Sequence, residues 1–239
     1  MTERPDEQPI RLRIRQQNMR TARDAHFDLF NSDIHNTADI LLLQEPYFDT
    51  YGNTKVSYHW HVLRPTSYKD SEEKIMALIL INKNISTGQW TQIDIPNSQD
   101  LVGIQLTGEY GKVSILNIYN SQHHDATLYV SDLAIRDLLN DPALRNTDRE
   151  NYLIWAGDFS RHHPMWDDER NVQLFTNKNI DDAQLVIDIA SDHGLEMALP
   201  QGKPTYMYYV TRNGNWTTYR HGLARLPGLE VHVFVGRPW

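Results

Sequence analysis

Three polar side chains stand where the hydrophobic pattern around them does not call for them. Asn18 follows a stretch in which Leu12 and Ile14 alternate with Arg11, Arg13 and Arg15. Glu45 closes the apolar run Ile40-Leu41-Leu42-Leu43-Gln44, and Asp158 closes Tyr152-Leu153-Ile154-Trp155-Ala156-Gly157. Strand ends collect at the rim of a sheet, so residues far apart in sequence can meet there. An Asn carbonyl with two carboxylates is a hard-oxygen set, suited to Mg²⁺ or Mn²⁺ that keeps several waters. Such a cation polarises a phosphoryl oxygen, steadies a leaving oxygen and helps activate water. Each residue alone also fits a strand cap or turn start, where Asn and Asp are common.

The elements that must position these residues follow from the hydrophobic period. A first strand starts at Arg11 and ends near Asn18, and a helix over 21–34 puts Phe27, Phe30 and Ile34 on one face. The run 39–45 is typical of a strand buried on both sides, stopped by Pro46. Further strands are expected at 56–63, 74–82, 101–107, 112–119 and 152–158, with a hairpin turn at Gly108-Glu109-Tyr110-Gly111. Helices are expected at 127–140, closed by Pro142, and at 181–193, capped by Gly194. Strands outnumber helices and come in hairpins with occasional helical crossovers. The expected architecture is an α/β sandwich, two packed mixed sheets flanked by helices.

Composition narrows the function. The chain has 239 residues, 40% hydrophobic and 23% charged, which suits one large domain. Its longest apolar run, 75–81, is strand-sized, far short of the ~20 residues of a membrane span. The polar start, 1–10, reads as a tail without a secretory signal, so an intracellular protein, cytoplasmic or nuclear, is expected. Cysteine is absent, which excludes disulfides, thiolate metal sites and cysteine nucleophiles. With 23 basic and 31 acidic residues the net charge is −8, so basic contact with nucleic acid is confined to a local patch. Arg11, Arg13, Arg15, Arg20 and Arg23 are the candidates. A solvated strand face with ordinary ion pairs is the competing reading.

Four segments in order carry a resemblance: Gln17-Asn18, Leu41-Leu42-Leu43-Gln44-Glu45-Pro46, Leu116-Asn117-Ile118-Tyr119-Asn120 and Trp155-Ala156-Gly157-Asp158-Phe159. Together they resemble the endonuclease/exonuclease/phosphatase superfamily. The run Gly157-Asp158-Phe159-Ser160-Arg161-His162-His163-Pro164-Met165-Trp166 looks most like the endonuclease domains of non-LTR (LINE-type) retrotransposons and their fungal relatives. The resemblance implies a DNase I-like, four-layer α/β sandwich over 11–217, followed by a divergent tail at 218–239. It also implies roles. Glu45 is the expected principal ligand of Mg²⁺ or Mn²⁺ with Asn18 beside it, Tyr119 contacts the scissile phosphate, and Asp158 orients or activates the attacking water. His162 and His163 touch phosphate or brace the site, or else belong to a surface loop packed by Pro164 and Trp166.

Two departures bear on activity. Relatives usually carry Asn where this chain has Ser160, a candidate catalytic residue whose hydroxyl can still donate one hydrogen bond but loses the amide reach. Their late Asp-His segment has no counterpart after Thr217, so the C-terminal end of the fold is expected to be truncated. His221, Glu230 and His232 are weak substitutes, and 231–235 is a candidate edge strand. The leading expectation is therefore a metal-dependent phosphodiesterase of retroelement type that hydrolyses DNA, impaired by the missing segment. A phosphatase acting on a small phosphorylated substrate and a catalytically dead remnant are the alternatives.

Overall fold

Strand alternation builds the molecule as two sheets with polar ends. The computed structural model describes residues 12–69, 73–108, 111–142, 151–197 and 201, and the backbone of three later strands. The expected tail at 1–10, Arg11, His221, Glu230 and the His232 side chain lie outside the described residues. One sheet holds β1 (Ile14–Asn18), β2 (Ile40–Gln44), β3 (Trp60–Leu63) and β4 (Ala77–Asn82) in the order β1-β2-β4-β3. The other holds β5 (Trp90–Ile93), β6 (Leu101–Gly108), β7 (Gly111–Tyr119), β8 (Asn151–Asp158), β9 (Leu195–Met197) and β12 (His232–Gly236) in the order β5-β6-β7-β8-β12-β9. β10 (Tyr208–Arg212) and β11 (Asn215–Tyr219) pair as a two-stranded antiparallel sheet of their own.

Both sheets are mixed. β1 runs parallel to β2 and β7 parallel to β8, while the other pairings are antiparallel. Between the sheets, Ile14, Ile40, Leu42, Ile79 and Ile81 meet Val102, Ile104, Ile115, Ile154 and Ala156. The outer face of the first sheet, through Leu41, Leu43, Leu78 and Leu80, packs on Met19, Ile34 and the helices α1 (Arg23–Asn31) and α2 (Ile34–Thr37). The outer face of the second, through Leu116, Ile118, Leu153 and Trp155, packs on Leu128, Ile135, Val186 and Ile189 of α3 (Ala126–Asn140) and α4 (Asn177–Asp192). These are the four layers that the resemblance implies.

The structure departs from the sequence reading in several places, two of which change how an expected element is built. The expected helix over 21–34 is broken into two, because Ser32 turns its hydroxyl onto the Leu29 carbonyl at 2.7 Å and Asp33 starts the second. The backbone of 232–236 is not an edge strand: it pairs with β8 on one side and β9 on the other. The second sheet therefore draws on residues beyond the boundary expected at 217.

Candidate active site

The inner faces of four strands grade from apolar to polar toward the ends that β1, β2, β7 and β8 share. Residues two apart lie on one face. Along β1 the inward series is Ile14, Gln16, Asn18; along β2 it is Ile40, Leu42, Gln44; along β7, Ile115, Asn117, Tyr119; along β8, Ile154, Ala156, Asp158. Behind the rim lies a buried amide layer. Gln16 donates to the Gln44 carbonyl at 3.3 Å, Gln44 donates to Asn117, and Asn117 donates to the Leu43 and Leu78 carbonyls at 3.1 and 2.8 Å. This layer ties the sheets together directly beneath the rim and fixes how far apart their ends stand.

At the rim three side chains meet. Nδ2 of Asn18 donates to Oε1 of Glu45 at 2.9 Å and to Oδ2 of Asp158 at 2.6 Å, joining residues from both sheets. The carbonyl of Asn18 accepts the backbone N–H of Arg20 at 2.8 Å. Because that N–H can only donate, the amide orientation is fixed. Asn18 and Asp158 are buried and Glu45 half-buried. The other oxygen of Asp158, Oδ1, accepts from the Ser160 N–H at 2.9 Å and its hydroxyl at 3.1 Å. The shorter hydroxyl is thus spent on Asp158.

The backbone here is bent on purpose. Of the five non-glycine residues with positive φ among the described residues, four surround this rim: Arg20 at 51°, Thr21 at 54°, Glu45 at 45° and Ser160 at 48°. Such conformations cluster where surrounding structure over-determines them, often at functional sites. The Thr21 N–H donates to the Glu45 carbonyl and the Glu45 N–H to the Met76 carbonyl, both at 2.8 Å, which pins the bend.

Tyr119 is the register partner of Asp158 on the parallel pair, so the two side chains lie side by side on one face. Its N–H donates to the Asp100 carbonyl at 2.8 Å. Burial pushes the Asp100 carboxyl above its ordinary range, the Glu73 charge adding to it and the Thr127 hydroxyl and His124 opposing. The histidines belong to the loop after β8. His163 accepts the Met165 N–H at 3.0 Å and lies 5.3 Å from the Trp166 ring, and exposed His162 stands 3.7 Å from Asp167. Arg13, at the opposite end of β1, is held by Asp39 at 2.8 Å, so that part of the arginine stripe is a solvated ion pair. Residues that the sequence reading passed over are the Gln16, Gln44 and Asn117 layer, Asp100 and Arg161. The signal for the first three was polar residues at inward positions of otherwise apolar strands.

Two mixed sheets sandwiched between helices, with a polar cluster at one end of their interface, form a DNase I-like α/β fold, the fold of the solved structures that this chain resembles. Residues 113–215 match the endonuclease-reverse transcriptase family model. Among solved structures, the chain is similar to the endonuclease domain of TRAS1, a telomere-specific non-LTR retrotransposon. The identity is 18%, over 95% of this chain and 85% of that one, with a TM-score of 0.58. It is also similar to the 3′ phosphatase NExo from Neisseria bound to a product DNA hairpin, at 15% identity, 95% and 87% coverage and a TM-score of 0.55. A third is D. rerio TDP2 complexed with single-strand DNA product, at 13% identity, 95% and 84% coverage and a TM-score of 0.50. No curated protein sequence matches the chain. Among the described residues, no helix is long and apolar enough to cross a membrane.

Proposed function

We propose that this chain is a divalent-metal-dependent phosphodiesterase that hydrolyses DNA, with its site at the rim formed by Asn18, Glu45, Tyr119 and Asp158. The observation that carries the reading is the meeting of two carboxylates from different sheets on one amide, Asn18 Nδ2. Two carboxylates held this close repel each other, and a cation relieves that repulsion. Oxygen donors in this number suit Mg²⁺ or Mn²⁺, which bind through one or two carboxylates plus substrate phosphate. Glu45 is the main ligand in this reading. Asn18 acts chiefly as the spacer between the carboxylates, since its own carbonyl serves Arg20.

When bound, the cation supplies Lewis-acid stabilisation of charge on the phosphoryl and leaving oxygens. The protein's own groups do the rest. Tyr119 faces the phosphate beside Asp158, and Asp158, steadied by Asn18 on one oxygen and Ser160 on the other, orients the water that attacks phosphorus. Ser160 is occupied with Asp158, which leaves the transition state without the amide that relatives place there. The catalyst is therefore expected to be slow. The catalytic unit extends through β12, whose backbone pairs with β8.

The test is nicking of supercoiled plasmid in Mg²⁺ or Mn²⁺ by the wild type and by Glu45→Gln, with release of inorganic phosphate from small phosphomonoesters measured alongside. The substitution is expected to lower nicking by about 100-fold, as loss of several kcal/mol of charge stabilisation implies. Equal nicking by both proteins would assign the activity to a contaminant. Phosphate release with intact plasmid would move the reading to a phosphatase.

A further inference from the structure

We infer that Arg161 is a positioning residue that holds the Asp158–Ser160 turn, and through it the Asp158 carboxylate, against Asn18; the inference rests on Asp158 belonging to the proposed site. Arg161 is 6% exposed. A guanidinium buried that deeply is tolerated only when its donors are committed. Here Nε donates to the Asp182 carbonyl at 2.9 Å, Nη1 to the Ser121 and Ser160 carbonyls at 3.1 and 3.0 Å, and Nη2 to the Asp125 carboxylate. Its own carbonyl accepts the Trp166 indole N–H at 3.1 Å.

These partners lie on three separate segments. Ser121 and Asp125 belong to the loop from β7 to α3, just after Tyr119; Ser160 follows Asp158 at the end of β8; Asp182 lies in α4. One planar fork thus ties together the two loops that leave the parallel pair carrying Tyr119 and Asp158. Ser160 needs such a restraint, because its φ of 48° is costly for a residue with a side chain. In that conformation its N–H and hydroxyl both reach Asp158 Oδ1, leaving Oδ2 for Asn18. The order of dependence runs Arg161, Ser160, Asp158, Asn18, Glu45. Lysine keeps the charge but has no fork to span three carbonyls in different directions.

The experiment compares Arg161→Lys with Arg170→Lys, an exposed control whose partner is Asp168. The first readout is the NMR resonance of the Asn18 side-chain amide, which reports its bond to Asp158 and needs no turnover. It is expected to move in Arg161→Lys and to stay in Arg170→Lys. The second is plasmid nicking, where kcat should fall on the order of 100-fold with KM within about twofold, as a misplacement of about 1 Å predicts. An unmoved Asn18 resonance overturns the inference, and so does a fall in activity that merely follows the folded fraction on melting. Should Arg161→Lys not fold, Asp125→Asn, which weakens the same fork from its half-exposed side, must move the resonance in its place. Glu45→Gln runs in parallel. If it nicks like the wild type, the hydrolytic reading falls while the amide resonance still decides the role of Arg161.

Discussion

Alternation along β2 would carry Glu45 outward with Leu41 and Leu43, beneath the helices. Its left-handed φ instead swings the carboxylate back toward Asn18, so the bend is what brings this residue to the rim. Nothing in the residue types around Glu45 announces that bend, whereas Asn18 and Asp158 continue the inward series of their strands and could be read directly. Ser160 was legible only as a departure from its relatives. That its hydroxyl is taken by Asp158 required coordinates. A second residue-scale feature is His26, fully buried among Phe27, Phe30 and Tyr47. Its Nε2 lies 2.7 Å from the Lys55 carbonyl, which can only accept, so Nε2 carries the proton; Nδ1 is buried with no partner among the described residues. Burial holds the His26 pKa below its ordinary value of 6.5, with the Lys55 bond opposing. A depressed imidazole contributes stability that is full above 6.5 and is lost as pH falls below it toward the folded-state value. The urea midpoint should therefore drop between pH 7.5 and 5.5, and His26→Phe should flatten that part of the profile. A wild-type midpoint constant across that range would contradict the assignment.

The strands and helices show where periodicity suffices and where it fails. Continuous apolar runs located β2, β4 and β8 because both their faces are covered, one by the opposite sheet and one by helices. The four-residue β5 and three-residue β9 are too short to show a period, and the break between α1 and α2 depends on one serine hydroxyl competing with the helix backbone. Within β8, Gly157 is demanded by its neighbour strand. A Cβ there would lie 2.0 Å from the Ile118 carbonyl oxygen and 2.7 Å from the Ile118 nitrogen, and the φ of 148° already excludes most side chains. Gly157→Ala must push β7 and β8 apart immediately before Asp158. Thermal melting should show a loss of about 4 kcal/mol, combining strain and overpacking. Gly88→Ala, whose new Cβ would approach nothing nearer than the Ser86 hydroxyl at 3.9 Å, should stay within about 0.5 kcal/mol of wild type.

Across the whole molecule, composition anticipated the acidic balance, and the order of strands and helices the two-sheet sandwich, but neither showed how the halves are registered on each other. That depends on the amide layer, where Asn117 of one sheet answers Gln44 and two main-chain carbonyls of the other. Asn117→Leu keeps the volume but leaves the Gln44 amide without this partner in the interior and takes a donor from the two carbonyls. Chemical denaturation should show a loss of about 3 kcal/mol, since each stranded group costs on the order of 1–3 kcal/mol. If Asn117→Leu is as stable as wild type, packing alone registers the sheets. The placement of Asn18 and Glu45 on one half and Asp158 on the other has a further result. Under the proposed function, the site exists only once the two halves have closed on each other, and a ligand that grips both of them at that seam would also latch the folded molecule shut.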